Sequence, residues 1–124
     1  MIVIWIFIAG GAGSVARYLI GQWAVARYGV SFPIGTLVVN LVGCFALGAL
    51  THLASTWSFN PELRAAITIG FIGGFTTYSS FNHETIALLT AGSATTAAVY
   101  VTVTLAGGLA AGWLGLVVSR QLMA

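Results

Sequence analysis

Four apolar stretches, each long enough to cross a lipid bilayer, take up almost the whole chain. They run over residues 2–23, 33–53, 63–89 and 94–122. A membrane-spanning helix needs roughly 20 consecutive apolar residues, and only 5% of the 124 residues are charged, a share far below that of a soluble domain. The sequence therefore predicts an all-α integral membrane protein, with residues 1–124 forming a single four-helix transmembrane domain in the bilayer.

Short polar separators with turn chemistry divide these stretches, at Tyr28-Gly29, Asn60-Pro61 and Gly92-Ser93. The second separator also carries a helix start signal. Asn60 is a favoured capping residue, Pro61 suits the first turn, and Glu62 places an acid near the positive helix end. We expect the third helix to begin there.

The arginines give almost no orientation signal. With four spans, Arg64 and Arg120 lie on one side of the membrane, and Arg17 and Arg27 lie towards the other. Orientation follows an excess of Lys and Arg in the loops of one side, and two against two is no excess. The pattern permits insertion in both directions and antiparallel dimers of one chain, while a weak bias towards a single orientation stays open.

Two function classes are disfavoured by the residues present. Four arginines with no lysine form no basic patch, so no nucleic acid partner is expected. There is no nucleophile elbow, P-loop, acid pair or HExxH motif, and no His, Cys, Asp and Glu spacing typical of zinc. The sequence predicts that the protein is not an enzyme.

Polar residues at bilayer depth must find a partner or line an aqueous path. Arg17 shares a helix face with Gly13 and Gly21, so it either points into the protein or extends to the interface. Asn40 lies one helical turn from Thr36 near the middle of the second span. Its amide serves either as interhelical glue or as a ligand for a polar solute, and spacing alone favours glue.

The stretch "GFIGGFTTYSSF", residues 70–81, places glycines and hydroxyls inside the third span. In helical spacing Tyr78 and Phe81 share one face, and Thr77, Ser80 and Glu84 share the neighbouring face. Hydroxyl donors and the positive edges of aromatic rings suit a small anion, although ordinary core packing is an alternative for the rings. The Gly-Gly pair before two threonines also predicts a helix break, whose freed carbonyls would need protein, water or a cation.

Three motifs together carry a family resemblance. "GGAGSVARY" (residues 10–18), "GTLVVNLVG" (residues 35–43) and "GFIGGFTTYSSF" (residues 70–81), in this order and within four spans, resemble the Fluc or CrcB family of bacterial fluoride channels. The resemblance covers essentially the whole chain. It implies a multi-pass protein of the bacterial inner membrane that exports toxic fluoride passively, as an antiparallel, dual-topology homodimer with two pores.

The resemblance also implies roles for individual residues. In the family the third helix is broken, and a structural sodium ion at the dimer interface is held by backbone carbonyls that fall here on Gly73 and Thr76. The remaining family positions form the fluoride pore at Asn40, Tyr78, Ser79, Ser80 and Phe81, and the vestibule at Arg17 and Glu84.

The sequence departs from the family pattern at two places. Tyr78 replaces the first of two pore phenylalanines, which keeps the ring edges and adds a hydroxyl. In the fourth helix, Gly108 and Gly112 stand where relatives commonly have hydroxylated residues, with Thr102 and Thr104 upstream.

Two other interpretations remain open at this stage. A proton-coupled transporter of the small multidrug-resistance type also has four short spans, but it needs a carboxylate in the first helix, and none is present. A structural membrane subunit without transport is the other.

Overall fold

The computed structural model describes residues 1–56 and 59–122, and every regular element in that part of the chain is helical. Residues 57 and 58, in the second predicted separator, and the last two residues of the domain lie outside the described part. The elements are α1 (Ile2–Tyr28), α2 (Ile34–Thr56), α3 (Pro61–Ala65), a π-helical segment (Ala66–Ile72), α4 (Gly73–Phe75), α5 (Tyr78–Thr90) and α6 (Ala94–Leu122).

Local sequence signals explain where the helices begin and end. Asn60 caps α3 as expected, since its Oδ1 accepts a hydrogen bond from the Glu62 backbone N–H at 2.8 Å, and Pro61 is the first helical residue. The first helix runs past the apolar stretch that ends at residue 23 and stops at Tyr28, where the sequence places the Tyr28-Gly29 separator. That glycine has φ of 78°, a conformation that is free of strain only without a Cβ.

The long helices pack through glycine at close quarters. In the pair α2 and α6, a Cβ on Gly48 would overlap the Gly112 carbonyl, and one on Gly115 would overlap the Phe45 carbonyl. A Cβ on Gly13 of α1 would likewise overlap the carbonyl of Phe71 in the π-helical segment. These small residues permit the close backbone approach through which the helices pack.

Three of the described helices are long and apolar enough to cross a membrane, namely α1, α2 and α6. Many of their large apolar side chains face outward, as with Phe7 and Leu109, which are 82% and 79% exposed. An apolar exterior of this extent fits lipid rather than water. The predicted third span, residues 63–89, is not one helix: a π-helical segment and a break at Thr76 and Thr77 divide it. The break falls within the Gly-Gly-x-Thr-Thr segment, as predicted.

Candidate functional site

The helix break supplies the framework of the candidate site. After α4 ends at Phe75, Thr76 and Thr77 adopt extended backbone, with ψ of 156° and 118°. Thr77 then caps the new helix, because its Oγ1 accepts a hydrogen bond from the Ser80 backbone N–H at 3.1 Å. Such a cap replaces a donor partner that the first helical turn lacks. The backbone of Thr77 itself is left to bond with another element.

Asn40 of α2 bonds that backbone. Its Oδ1 accepts from the Thr77 N–H at 2.8 Å, and its Nδ2 donates to the Thr77 carbonyl at 3.1 Å. The side-chain amide thus pairs with Thr77 as a neighbouring strand would, and it satisfies both backbone groups at membrane depth. Asn40 does connect two helices, and the same residue lines a cavity, so the two roles weighed from its spacing are compatible.

The break releases backbone carbonyls as well. The Gly74 carbonyl accepts from Arg17 Nε at 3.2 Å and lies 3.4 Å from the Ser14 hydroxyl of the same helix. The carbonyls of Gly73 and Thr76 accept no hydrogen bond from any residue in the described ranges. In a continuous α-helix both would be bonded to amides four residues on, so they are available to another ligand.

A cavity of about 390 Å³ opens beside the break. Asn40 and Thr77 form its polar wall on one side, and Tyr78, Phe81 and Thr104 contribute from α5 and α6. The Oγ1 of Thr104 is buried and has no hydrogen-bond partner among the described residues. A buried hydroxyl without a hydrogen-bond partner costs free energy.

The two aromatic residues of the stretch occupy different environments. The Phe81 ring is 8% exposed and packs 5.3 Å from the Tyr100 ring, centroid to centroid. Tyr78 is 77% exposed and its ring lies 5.8 Å from that of Phe81. Both line the same cavity, yet only Phe81 is enclosed by this chain. Tyr78 projects from the protein surface.

A second cavity, of about 360 Å³, lies on the other side of Thr77. Arg17, Thr36 and Ser80 line it together with Thr77. The threonine therefore borders both cavities, and its Oγ1 contacts the hydroxyls of Ser80 at 3.0 Å and Ser79 at 3.3 Å. Hydroxyl groups thus form a short continuous chain between the two spaces.

Glu84 lies one helical turn beyond Ser80 and joins three helices. Its Oε1 accepts from the Thr36 hydroxyl at 2.7 Å, and its Oε2 accepts from the Tyr100 hydroxyl at 2.6 Å. Short bonds of this kind are among the stronger ones in proteins. The carboxyl group is held in place from both sides, and it lines a cavity of about 250 Å³ near the end of α1.

Most of the residues singled out from the sequence are brought together around the break, on both sides of Thr77. Ser79 is exposed at the surface. The sequence interpretation missed Tyr100, which is fully buried and holds Glu84. A signal was present, because Thr96, Tyr100 and Thr104 recur every four residues on one face of a mainly apolar helix.

Comparisons with known proteins agree with this arrangement. Residues 4–116 match the protein family described as CrcB-like protein, Camphor Resistance (CrcB). The "Fluoride-specific ion channel FluC" of Sorangium cellulosum is 46% identical over 97% of this chain and 95% of its own length. Proteins of the same name from Acidobacterium capsulatum and Geobacter metallireducens are 42% and 43% identical, covering 98% and 97% of this chain and 98% of each relative.

Proposed function

This chain belongs to the CrcB family, and from that premise we propose that it is a fluoride-selective channel for passive fluoride efflux. It is a multi-pass membrane protein, placed by this proposal in the bacterial inner membrane. The observation that carries the proposal is the pair of cavities on either side of Thr77, lined by amide and hydroxyl donors and by aromatic rings. A pathway of this composition suits a small anion.

Fluoride is small and strongly hydrated, so a pore must offer donors that replace its water. The Asn40 amide has two hydrogens, of which one bonds the Thr77 carbonyl and the other is left for an anion. Thr104 lines the same cavity, and its buried hydroxyl has no partner in the described part of the chain. The ring edges of Phe81 and Tyr78 supply the remaining positive potential.

The hydroxyls of Ser79 and Ser80 continue the pathway to the second cavity in this proposal. There Arg17 supplies a fixed positive charge, which attracts anions to the vestibule. Glu84, bonded by two hydroxyls, lines the neighbouring cavity of about 250 Å³, which shares Thr36 with the second cavity. A free carboxylate would repel fluoride, and the two donors that hold Glu84 reduce its negative potential towards the pathway.

We further propose that two copies of the chain assemble as an antiparallel homodimer. The balanced arginines support insertion in both orientations. The position of Tyr78 supports a second copy, because this pathway residue projects from the surface of the single chain and a partner would enclose it. The broken segment, residues 61–90, then crosses the membrane in addition to α1, α2 and α6, which makes four crossings.

A structural sodium ion is the last part of the proposal. Gly73 and Thr76 fit this role, because their carbonyls lack hydrogen-bond donors in the described ranges and a hard cation prefers such oxygens. Gly73 also lies at the surface, where a partner subunit could approach. When bound, sodium would supply positive charge to carbonyls that the helix break leaves free.

A flux assay tests the channel. Liposomes containing the purified protein and loaded with fluoride are given a potassium ionophore to hold the membrane potential, and a fluoride electrode records release. We expect rapid fluoride release and little chloride release. Protein-free liposomes treated with the ionophore are the control and should retain their fluoride. If protein-containing liposomes also retain it, the proposal is contradicted.

A further inference from the structure

The contact between Arg17 and the Gly74 carbonyl gives this arginine a function separate from its charge. In an unbroken α-helix the Gly74 carbonyl would accept the Tyr78 N–H, but the extended backbone at Thr76 removes that donor. Arg17 Nε replaces it at 3.2 Å, and the Ser14 hydroxyl is a second, longer donor to the same carbonyl at 3.4 Å. We propose that Arg17 is a positioning residue, which holds the helix break in shape by donating its Nε–H to Gly74.

The backbone packing around this contact leaves little freedom. A Cβ on Gly74 would overlap the Gly10 carbonyl, and a Cβ on Gly13 would overlap the Phe71 carbonyl. The two backbones are therefore in direct contact over the two helical turns of α1 that precede Arg17. Arg17 lies one helical turn beyond Gly13, so its Nε reaches Gly74 from a helix whose position is fixed.

The guanidinium group separates the two functions in space. Nε is used on the Gly74 carbonyl, while the terminal amino groups make no hydrogen bond or ion pair with any residue of the described ranges. The side chain is half-buried and lines the second cavity. The charged end of the guanidinium group is thus left to the cavity, while the Nε–H donates to the backbone carbonyl of Gly74.

The consequence concerns the carbonyls next to Gly74. Gly73 precedes it directly and Thr76 follows two residues later, so a displaced Gly74 moves both. Partners that orient metal ligands typically change metal affinity by 10- to 100-fold when they are removed. This consequence rests on the sodium site proposed above, whereas the positioning of the break by Arg17 does not.

Three substitutions separate donor from charge. Arg17→Gln keeps an N–H donor at the same number of bonds from Cα as Nε and removes the charge. Arg17→Lys keeps the charge and places a methylene at that position. Arg17→Met has neither. If Arg17 acts only through its charge, the Gln and Met variants should show the same defect. If Arg17 positions the break, the Gln variant should behave like wild type and the Met variant should not.

The first readout is the sodium dependence of stability. Thermal unfolding of the purified full chain in detergent is followed over a sodium chloride series at constant ionic strength. We expect Arg17→Met to raise the sodium concentration for half-maximal stabilisation by about tenfold or more, and Arg17→Gln to stay near wild type. Where wild-type stability does depend on sodium, equal shifts in the Gln and Met variants, or no shift in either, would overturn the positioning role.

The second readout is the Gly74 carbonyl itself. Labelling with carbonyl-13C glycine and 15N phenylalanine gives NMR correlations only for Gly70-Phe71 and Gly74-Phe75, the two Gly-Phe pairs of the sequence. The Gly74 carbonyl signal should move in Arg17→Met and stay in Arg17→Gln, with Gly70 unchanged in both.

This second readout needs neither sodium nor transport. If wild-type stability does not depend on sodium, the cation part of the proposed function fails, and the carbonyl signal alone decides the role of Arg17. An unmoved Gly74 signal in Arg17→Met, or equal movement in the Met and Gln variants, would then reject it.

Discussion

The side-chain amide of Asn40 makes a two-bond pair with the backbone of Thr77, accepting from its N–H at 2.8 Å and donating to its carbonyl at 3.1 Å. One side chain from α2 therefore satisfies both backbone groups at the point where the third apolar stretch stops being helical. The same side chain borders the cavity of about 390 Å³ beside the break. A substitution at Asn40 therefore changes both the shape of the helix break and the polar lining of the proposed pathway.

Asn40→Asp should disrupt both. The substitution keeps the shape but places a carboxylate oxygen against the Thr77 carbonyl in place of a donor. We expect a loss of about 1–3 kcal/mol in the free energy of unfolding and a fall in fluoride release of about tenfold or more. Thermal unfolding and the electrode assay measure the two effects. Asn82→Asp, at an exposed position of the next helix, is the control, and equal effects at both positions would count against a specific role for Asn40.

The two aromatic positions should respond differently because only one is enclosed by the chain. Phe81→Ile removes a buried ring with its positive edge, so we expect loss of fluoride release and about 1–3 kcal/mol lower stability. Tyr78→Phe keeps the ring and removes an exposed hydroxyl, so release and stability should stay close to wild type. A large loss of release in Tyr78→Phe would show that the hydroxyl itself contributes to the pathway.

The Glu84 carboxyl group and the Tyr100 hydroxyl should be energetically coupled. Their 2.6 Å hydrogen bond joins α5 to α6, and removing either partner leaves the other without its bond. We expect Tyr100→Phe and Glu84→Gln each to cost about 1–3 kcal/mol, with the double variant less destabilised than the sum. Chemical unfolding of the four proteins in detergent measures this cycle. Tyr28→Phe, at an exposed tyrosine, is the control, and strict additivity would mean that the bond contributes nothing.

Much of this fold is readable from the sequence, because the bilayer restricts the choices. Apolar length predicted the three long helices α1, α2 and α6, Asn60 and Pro61 predicted the start of α3, and the Gly-Gly-x-Thr-Thr pattern predicted the break. Each of these is a local property of the backbone. The first helix continues past the apolar stretch 2–23 and ends at the separator Tyr28-Gly29, where Gly29 adopts a positive φ.

The partners within the site were less accessible to sequence reasoning. That Asn40 bonds Thr77 and that Tyr100 bonds Glu84 depends on how α2, α5 and α6 are placed, and helical spacing describes only one helix at a time. Spacing indicated which residues share a face. It did not indicate which faces meet, and the roles of pore and vestibule residues rest on the family resemblance and stay predictions.

Substitutions at Gly11 and Gly13 of α1 should distinguish the effect of helix packing from the effect of helix propensity. A Cβ at Gly13 would overlap the Phe71 carbonyl, whereas one at Gly11 has open space within the chain. Gly13→Ala should therefore lower stability by about 1–3 kcal/mol through overpacking, and Gly11→Ala should be neutral or stabilising through its better helix propensity. Thermal unfolding distinguishes them. Equal destabilisation would show that something outside the chain covers Gly11.

If the dimer is antiparallel, added positive charges that force every chain into one orientation should abolish activity. Ser55→Lys with Gln121→Lys adds two positive charges on one side of the proposed topology, and Val30→Lys with Ala91→Lys adds two on the other, all at exposed positions. Each pair should direct the chain into a single, opposite orientation. If the dimer is antiparallel, each variant alone should give little fluoride release, and co-expression of the two should restore it.

Protease or thiol labelling of a C-terminal tag confirms the orientation of each variant. Full release from either variant alone, with its tag on one side only, would show that parallel copies suffice and would remove the antiparallel dimer from the proposal.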